Sequence, residues 1–320
     1  MRGIKDRMRR GPVTWFFAIS LGIELVVVAV FLLSGAATKL EAAIPIRASG
    51  LGERTDFVSA GRLMALELQS WFGVLLSILQ PFSPDIAAFV VAGLAFGLGG
   101  VVVLVRRYRC WSNDVRWRRG LRVWGLMFLT FLAMSLVTAG LNYLFVPSGS
   151  FEWVNTPIFS WSFPLALLAS IFLGIGGVTE EAGWRGFALP MLQNRVTPLA
   201  ATVIVGLMRG VWHFPARPDI LSGAYGLWGS ALLLTILLVR FLVLSIVMTF
   251  FYNRVGGSTL IAISMHGQHN DSVFLQGRIN ADGLSLRSLR AILARADRGR
   301  GLRPDVHLGT HAWPEERPGR

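Results

Sequence analysis

The chain has a single cysteine, Cys110, in 320 residues. That excludes an intrachain disulfide and a cysteine-based metal cluster. Charge is also scarce, at 15% of residues, where soluble domains carry roughly one quarter. Acids are the scarcer sign, with 18 Asp and Glu against 31 Lys and Arg. The HExxH spacing of helical zinc peptidases is absent. No internal repeat of useful length is visible, which counts against a transporter built from inverted repeats. What remains is hydrophobic: 53% of the residues, with a mean hydropathy of +0.55. Composition alone therefore makes this a membrane protein.

The formal charge of +13 is clustered. Arg2, Lys5, Arg7, Arg9 and Arg10 precede the first apolar stretch, seven arginines fall within residues 106–122, and nine follow Asn270. Basic clusters beside apolar spans mark the cytoplasmic face and its anionic lipids. With no folded soluble domain left to carry it, nucleic-acid binding is the poorer reading of this charge, and no nucleic-acid partner is expected.

Apolar runs of about 17–25 residues can cross a bilayer as helices. The sequence predicts spans near 13–33, 86–105, 123–145, 161–178, 198–214, 228–251 and 258–268. The first follows a basic leader but is too long for a signal-peptide core, so it reads as a signal anchor. Residues 71–79, ahead of Pro81 and Pro84, read as a piece that lies along the surface or dips in without crossing. The last span is short, and is either a half-span or a helix running on past Asn270. The fold class is thus all-α, a polytopic transmembrane helical bundle of about seven or eight membrane helices. Its organisation is an N-terminal transmembrane region (1–122), a core (123–271) and a basic tail (272–320) without the composition of a packed unit. Trp15, Trp71, Trp161, Trp212 and Trp228 fall near span ends, as interfacial belts do.

Polar groups inside such a chain need a use, because an unpaired one costs several kcal/mol, roughly, in hydrocarbon. Glu180 and Glu181 close the apolar run 163–178. On a helix Glu181 and Arg185 share a face and can pair, while Glu180 points about 100° away. Adjacent glutamates can thereby take a structural and a reactive part. His213 follows in the fifth span, and His266 and Asn270 lie four apart in the seventh. Each group alone reads more simply as a helix-end charge pair, an interfacial histidine or a hydrogen bond between helices. Together they supply a base for water, a proton for a leaving nitrogen and a donor for an oxyanion, which is what amide hydrolysis needs.

Three ordered motifs carry a resemblance. Glu180-Glu181-Ala182-Gly183-Trp184-Arg185 fits EExxxR and runs into Gly186-Phe187-Ala188-Leu189-Pro190. His213 sits within Gly210-Val211-Trp212-His213-Phe214-Pro215, and His266 to Asn270 fits HxxxN after Asn253-Arg254-Val255-Gly256-Gly257. Over 123–271 the chain resembles the CAAX prenyl protease type 2 and bacteriocin-processing (Abi) family of intramembrane proteases. The resemblance implies that Glu180 and His213 activate water, that Glu181 and Arg185 fix the helix, and that His266 and Asn270 stabilise the oxyanion. One departure stands out: Arg209 replaces the aromatic of the FxxxH motif. His269 is a second, expected either at the helix-end surface or as a further ligand or proton carrier.

Two histidines and a glutamate on separate helices could hold zinc with an open position, which makes the chain a metalloprotease by family convention. The same groups also serve a metal-free mechanism. The expected partners are membrane lipid and a peptide or protein substrate, at a multi-pass location in the cell membrane. A non-catalytic immunity or scaffolding protein on the same fold is the alternative, and a proton-coupled transporter ranks third. Glu24 and Arg240, charges within predicted spans, are expected to pair or to line a cavity, with Arg240 otherwise snorkelling to the interface.

Overall fold

The computed structural model describes residues 2–36, 56–66, 71–145, 151–152, 163–223, 225–270 and 278–279. The helices are α1 (Arg2–Arg10), α2 (Pro12–Leu33), α3 (Phe57–Leu66), α4 (Trp71–Phe96), α5 (Leu98–Val105), α6 (Trp117–Phe145), α7 (Phe163–Phe172) and α8 (Ile175–Glu181). A π-helical turn (Ala182–Ala188) leads into α9 (Leu189–Gln193), α10 (Pro198–Trp212), α11 (Pro218–Leu221), α12 (Gly226–Arg254) and α13 (Thr259–Asn270). Strands β1 (Phe151–Glu152) and β2 (Arg278–Ile279) form a two-residue antiparallel pair. The basic tail, apart from β2, lies outside the described residues.

Four helices among the described residues, α2, α4, α6 and α12, are long and apolar enough to cross a bilayer unaided, and they make this a multi-pass membrane protein. Each is hydrophobic around its circumference. In α2 the buried positions Val13, Phe16, Ser20, Glu24 and Val27 form one stripe, whereas Val26 and Leu33 are 63% and 88% exposed. Apolar side chains turned outward are what a lipid-facing helix surface requires. The stripe packs on α4, where Gln80 donates to the buried Glu24 at 2.7 Å. Glu24 therefore does not pair with Arg240, contrary to one expectation.

The path departs from the predicted spans in three places. Residues 71–79 belong to a single 26-residue helix that runs through Pro81 and Pro84, about 39 Å long at the α-helical rise. Proline removes a backbone bond, and neighbouring helices secure the weakened turn. Ser83 accepts from Trp212 Nε1 at 2.9 Å, and Asp85 accepts from the Gly183 amide at 2.7 Å. The predicted span 86–105 is divided at Gly97, whose φ of 70° turns α4 into α5. The predicted span 161–178 is likewise divided after α7. There the Leu173 carbonyl accepts from the Phe57 amide at 3.0 Å, and Gly174 forms an isolated bridge with Asp56.

Among the described residues two large apolar cores hold the bundle. Phe16, Val91, Trp184, Phe187, Trp212 and Tyr252 anchor one. Val123, Met127, Leu244, Met248, Ile261 and Met265 join α6, α12 and α13 in the other. Trp212 is thus fully buried rather than part of an interfacial belt, while Trp15, Trp71 and Trp228 are exposed; Trp161 lies outside the described residues. In lipid, helix association rests on close packing and polar contacts. Glycines permit it here: a Cβ on Gly177 would stand 2.8 Å from the Ile263 carbonyl, and Gly267 lies hard against the Ser170 carbonyl.

Candidate active site

The broken helix α7–α8 delivers Glu180 and Glu181 to the centre of the bundle, both buried. Because α8 runs directly into a π turn, the backbone widens beside the two acids; such turns recur at functional sites. Glu181 pairs with Arg185 at 3.1 Å, both side chains wholly inaccessible, as the spacing predicts. Its same oxygen, Oε1, lies 2.8 Å from His266 Nδ1 on α13. Gly176, one turn before Glu180, gives His266 and Asn270 their room. A Cβ there would stand 2.7 Å from His266 Nε2 and 2.9 Å from Asn270 Nδ2.

Glu180 is not left free as the spacing alone implies. Nε and Nη2 of Arg209, on α10, each stand 3.1 Å from its Oε2, so the departure from the FxxxH pattern supplies its counter-charge. Nη2 also lies 2.9 Å from His266 Nε2. A guanidinium can only donate and an ionised carboxylate can only accept. His266 between them must then carry its proton on Nδ1, towards Glu181, and present a lone pair at Nε2, towards Arg209. The other oxygen of Glu180, Oε1, is 3.9 Å from that Nε2.

His213 caps the end of α10. Its ring stacks on Phe241 at 4.3 Å between centroids and meets Trp212 edge-on at 4.7 Å. Its Nε2 is buried without a hydrogen-bond partner, as is Nη1 of Arg209.

Glu180, His213, His266 and Asn270 line one cavity of about 220 Å³. Four of the six predicted site residues thus share a wall, and they come from α8, α10 and α13. Glu181 and Arg185 are absent from the lining and stand behind it. Arg209 also lines this cavity, together with Arg217, Arg240 and His269. Sequence reasoning gave Arg217 no place in the site, and offered Arg240 a cavity-lining part and His269 a ligand or proton-carrier part only as alternatives. Arg240 Nη2 lies 2.8 Å from His269 Nε2, so His269 is a half-buried wall residue rather than a surface one. Asp85 was missed as well, and its only signal is an acid one residue after a proline in an apolar helix.

Zinc does not fit this arrangement. A divalent ion bridging Glu180 and His266 would stand where the Arg209 guanidinium does, and like charges repel strongly at such separations. Among the described residues no three His, Cys, Asp or Glu side chains converge as ligands.

Residues 159–271 match the family model described as type II CAAX prenyl endopeptidase Rce1-like. That stretch lies within the 123–271 marked out by the three motifs. The CAAX prenyl protease 2 of Methanococcus maripaludis is 41% identical over 51 residues, which are 16% of this chain and 16% of that relative. The chain thus matches far less than two thirds of the relative's own length.

Proposed function

We propose that the chain is an intramembrane endopeptidase, acting on a peptide or protein substrate at the cytoplasmic face of the cell membrane. The observation that carries this reading is the convergence of Glu180, His213, His266 and Asn270, from three helices, on one buried cavity. The likeness to a family of CAAX endopeptidases supports it.

In this proposal water binds beside Oε1 of Glu180, the oxygen not held by Arg209. Glu180 takes a proton as the water oxygen attacks the peptide carbonyl carbon. Asn270 Nδ2 and the unpartnered Nη1 of Arg209 donate to the oxyanion that forms. The C–N bond then breaks, and His213, whose Nε2 lacks a partner, passes a proton to the leaving nitrogen. The products are a carboxylic acid and an amine, which leave as carboxylate and ammonium, and Glu180 returns the proton it took to His213 between turnovers. Glu181 and Arg185 keep His266 in the tautomer that accepts from Arg209. No metal enters this scheme, and nucleic acid has no part in it.

The test uses purified protein in liposomes with a peptide library. Wild type is expected to cleave, Glu180→Ala and His213→Ala are expected not to, and chelation is expected to leave the rate unchanged. Equal cleavage by wild type and Glu180→Ala would end the assignment. The Arg209–Glu180 pair also favours a second reading, a non-catalytic immunity or scaffolding protein in which the carboxylate only serves the fold. Protection or partner binding retained in full by Glu180→Ala would support that reading.

A further inference from the structure

A second cavity, of about 350 Å³, lies beside the π turn and shares no lining residue with the hydrolytic one. That volume is in the range of small-ligand sites. Ala92 and Phe96 of α4, Val103 and Leu104 of α5, Phe187 of the π turn and Met191 of α9 form its apolar walls. Phe96 and Val103 are 37% and 50% exposed, so the groove opens on the apolar flank that faces lipid. Gly99 is exposed beside them, and a Cβ there would meet nothing within 4 Å.

Among the described residues that line the groove, only Arg107 is charged. Its Nη1 donates to the Tyr252 hydroxyl at 3.0 Å, and its carbonyl accepts from the Thr259 amide at 2.9 Å, which fixes the residue at both ends. Its Nε is shut off from water without a hydrogen-bond partner. Among the described residues no carboxylate pairs with this guanidinium. A buried donor left unmet is costly, and a guanidinium fork suits the oxygens of a phosphate. Arg107 also belongs to the arginine cluster of residues 106–122, the mark of the cytoplasmic leaflet and its anionic lipids.

From this arrangement we propose that the groove binds an anionic phospholipid of the cytoplasmic leaflet, with one acyl chain between α4, α5 and α9 and the phosphate on Arg107. The occupant is a lipid because the groove opens to the bilayer, which supplies chains at high concentration. Its headgroup is an anion because Arg107 has no carboxylate to answer it. A chain lodged there touches Gly186 and Phe187, and so packs against the π turn that follows the two acids. The proposal stands apart from the peptidase reading, since no residue lining the groove takes part in the hydrolytic scheme.

Lipid binding to the purified full chain in detergent, counted by native mass spectrometry, tests it. Phosphatidylglycerol and phosphatidylcholine with identical chains are titrated, and glycerol 3-phosphate supplies the headgroup anion without chains. Wild type is expected to hold its first phosphatidylglycerol about tenfold tighter than phosphatidylcholine, the worth of one charge-assisted contact. Arg107→Gln is expected to erase most of that advantage, and Arg107→Lys to restore part of it. Gly99→Leu puts a side chain into the groove mouth, and is expected to weaken both lipids while keeping the preference. Should Arg107→Gln fail to fold for want of its Tyr252 contact, Gly99→Leu and Arg107→Lys decide the matter. Equal affinity for the two lipids overturns the proposal. A preference that survives in Arg107→Gln does so too, since other arginines would then hold the headgroup. Glycerol 3-phosphate that competes as well as the whole lipid, or Gly99→Leu that binds both lipids as wild type does, also overturns it.

Discussion

A buried ion pair costs little while both partners remain, but removing one strands a charge and costs about 3–5 kcal/mol. Arg209 and Glu180 stand in that relation, 2% and 4% exposed at their side chains. Arg209→Gln is therefore expected to destabilise the protein by an amount in that range, read as a lower thermal unfolding midpoint in detergent, and Arg209→Gln with Glu180→Gln to recover much of the loss. Additive losses in the double variant would mean that the two side chains do not interact. Residue-scale legibility follows separation along the chain. Glu181 with Arg185, and His266 near Asn270, are four apart and follow from helix geometry alone. Glu180 with Arg209 and Arg240 with His269 are each 29 apart, and depend on how α8, α10, α12 and α13 pack. The same limit explains Glu24, whose partner Gln80 lies on α4 while Arg240 faces α13.

At the level of elements, the π turn is the feature that sequence patterning could not show. Residues 182–188 read as ordinary helix, and the wider turn is held from outside by α4. Asp85 accepts from the Gly183 amide, and the Pro84 carbonyl presses so close that a Cβ on Gly183 would stand 2.6 Å from it. Asp85→Ala would leave that buried amide unmet, at a cost of about 1–3 kcal/mol, whereas Asp85→Asn keeps an acceptor oxygen. We expect Asp85→Ala to lower the unfolding midpoint and to speed amide exchange across 182–188, with Asp85→Asn close to wild type. Unchanged exchange in the alanine variant would show that α4 does not hold the turn. Proline explains the earlier misplacement of α4 itself. Pro81 and Pro84 look like breaks when only the helix's own backbone is counted, and cease to be when Ser83 and Asp85 tie the region to Trp212 and Gly183.

Across the whole molecule, hydropathy and basic clusters were enough for a helical membrane bundle, because lipid admits little else. They could not locate the turns at Gly97 and Gly174, which depend on contacts made by the folded chain. The continuous α4 has a consequence for topology: Trp71 and Leu98 should lie at opposite faces. In a Cys110→Ser background, an impermeant maleimide is expected to label Trp71→Cys from the side that labels Leu33→Cys, and Leu98→Cys from the other. Labelling of Trp71→Cys and Leu98→Cys from one side would mean that α4 does not cross. The central claim is that four polar side chains from three helices form one hydrolytic centre, with Glu180 acting on water. Its most direct measurement is single-turnover cleavage in water enriched in heavy oxygen, followed by mass spectrometry of the products. The account predicts one heavy oxygen in the new carboxylate for wild type and no product for Glu180→Gln. Product formed equally by Glu180→Gln, or a new carboxylate without heavy oxygen, would contradict it.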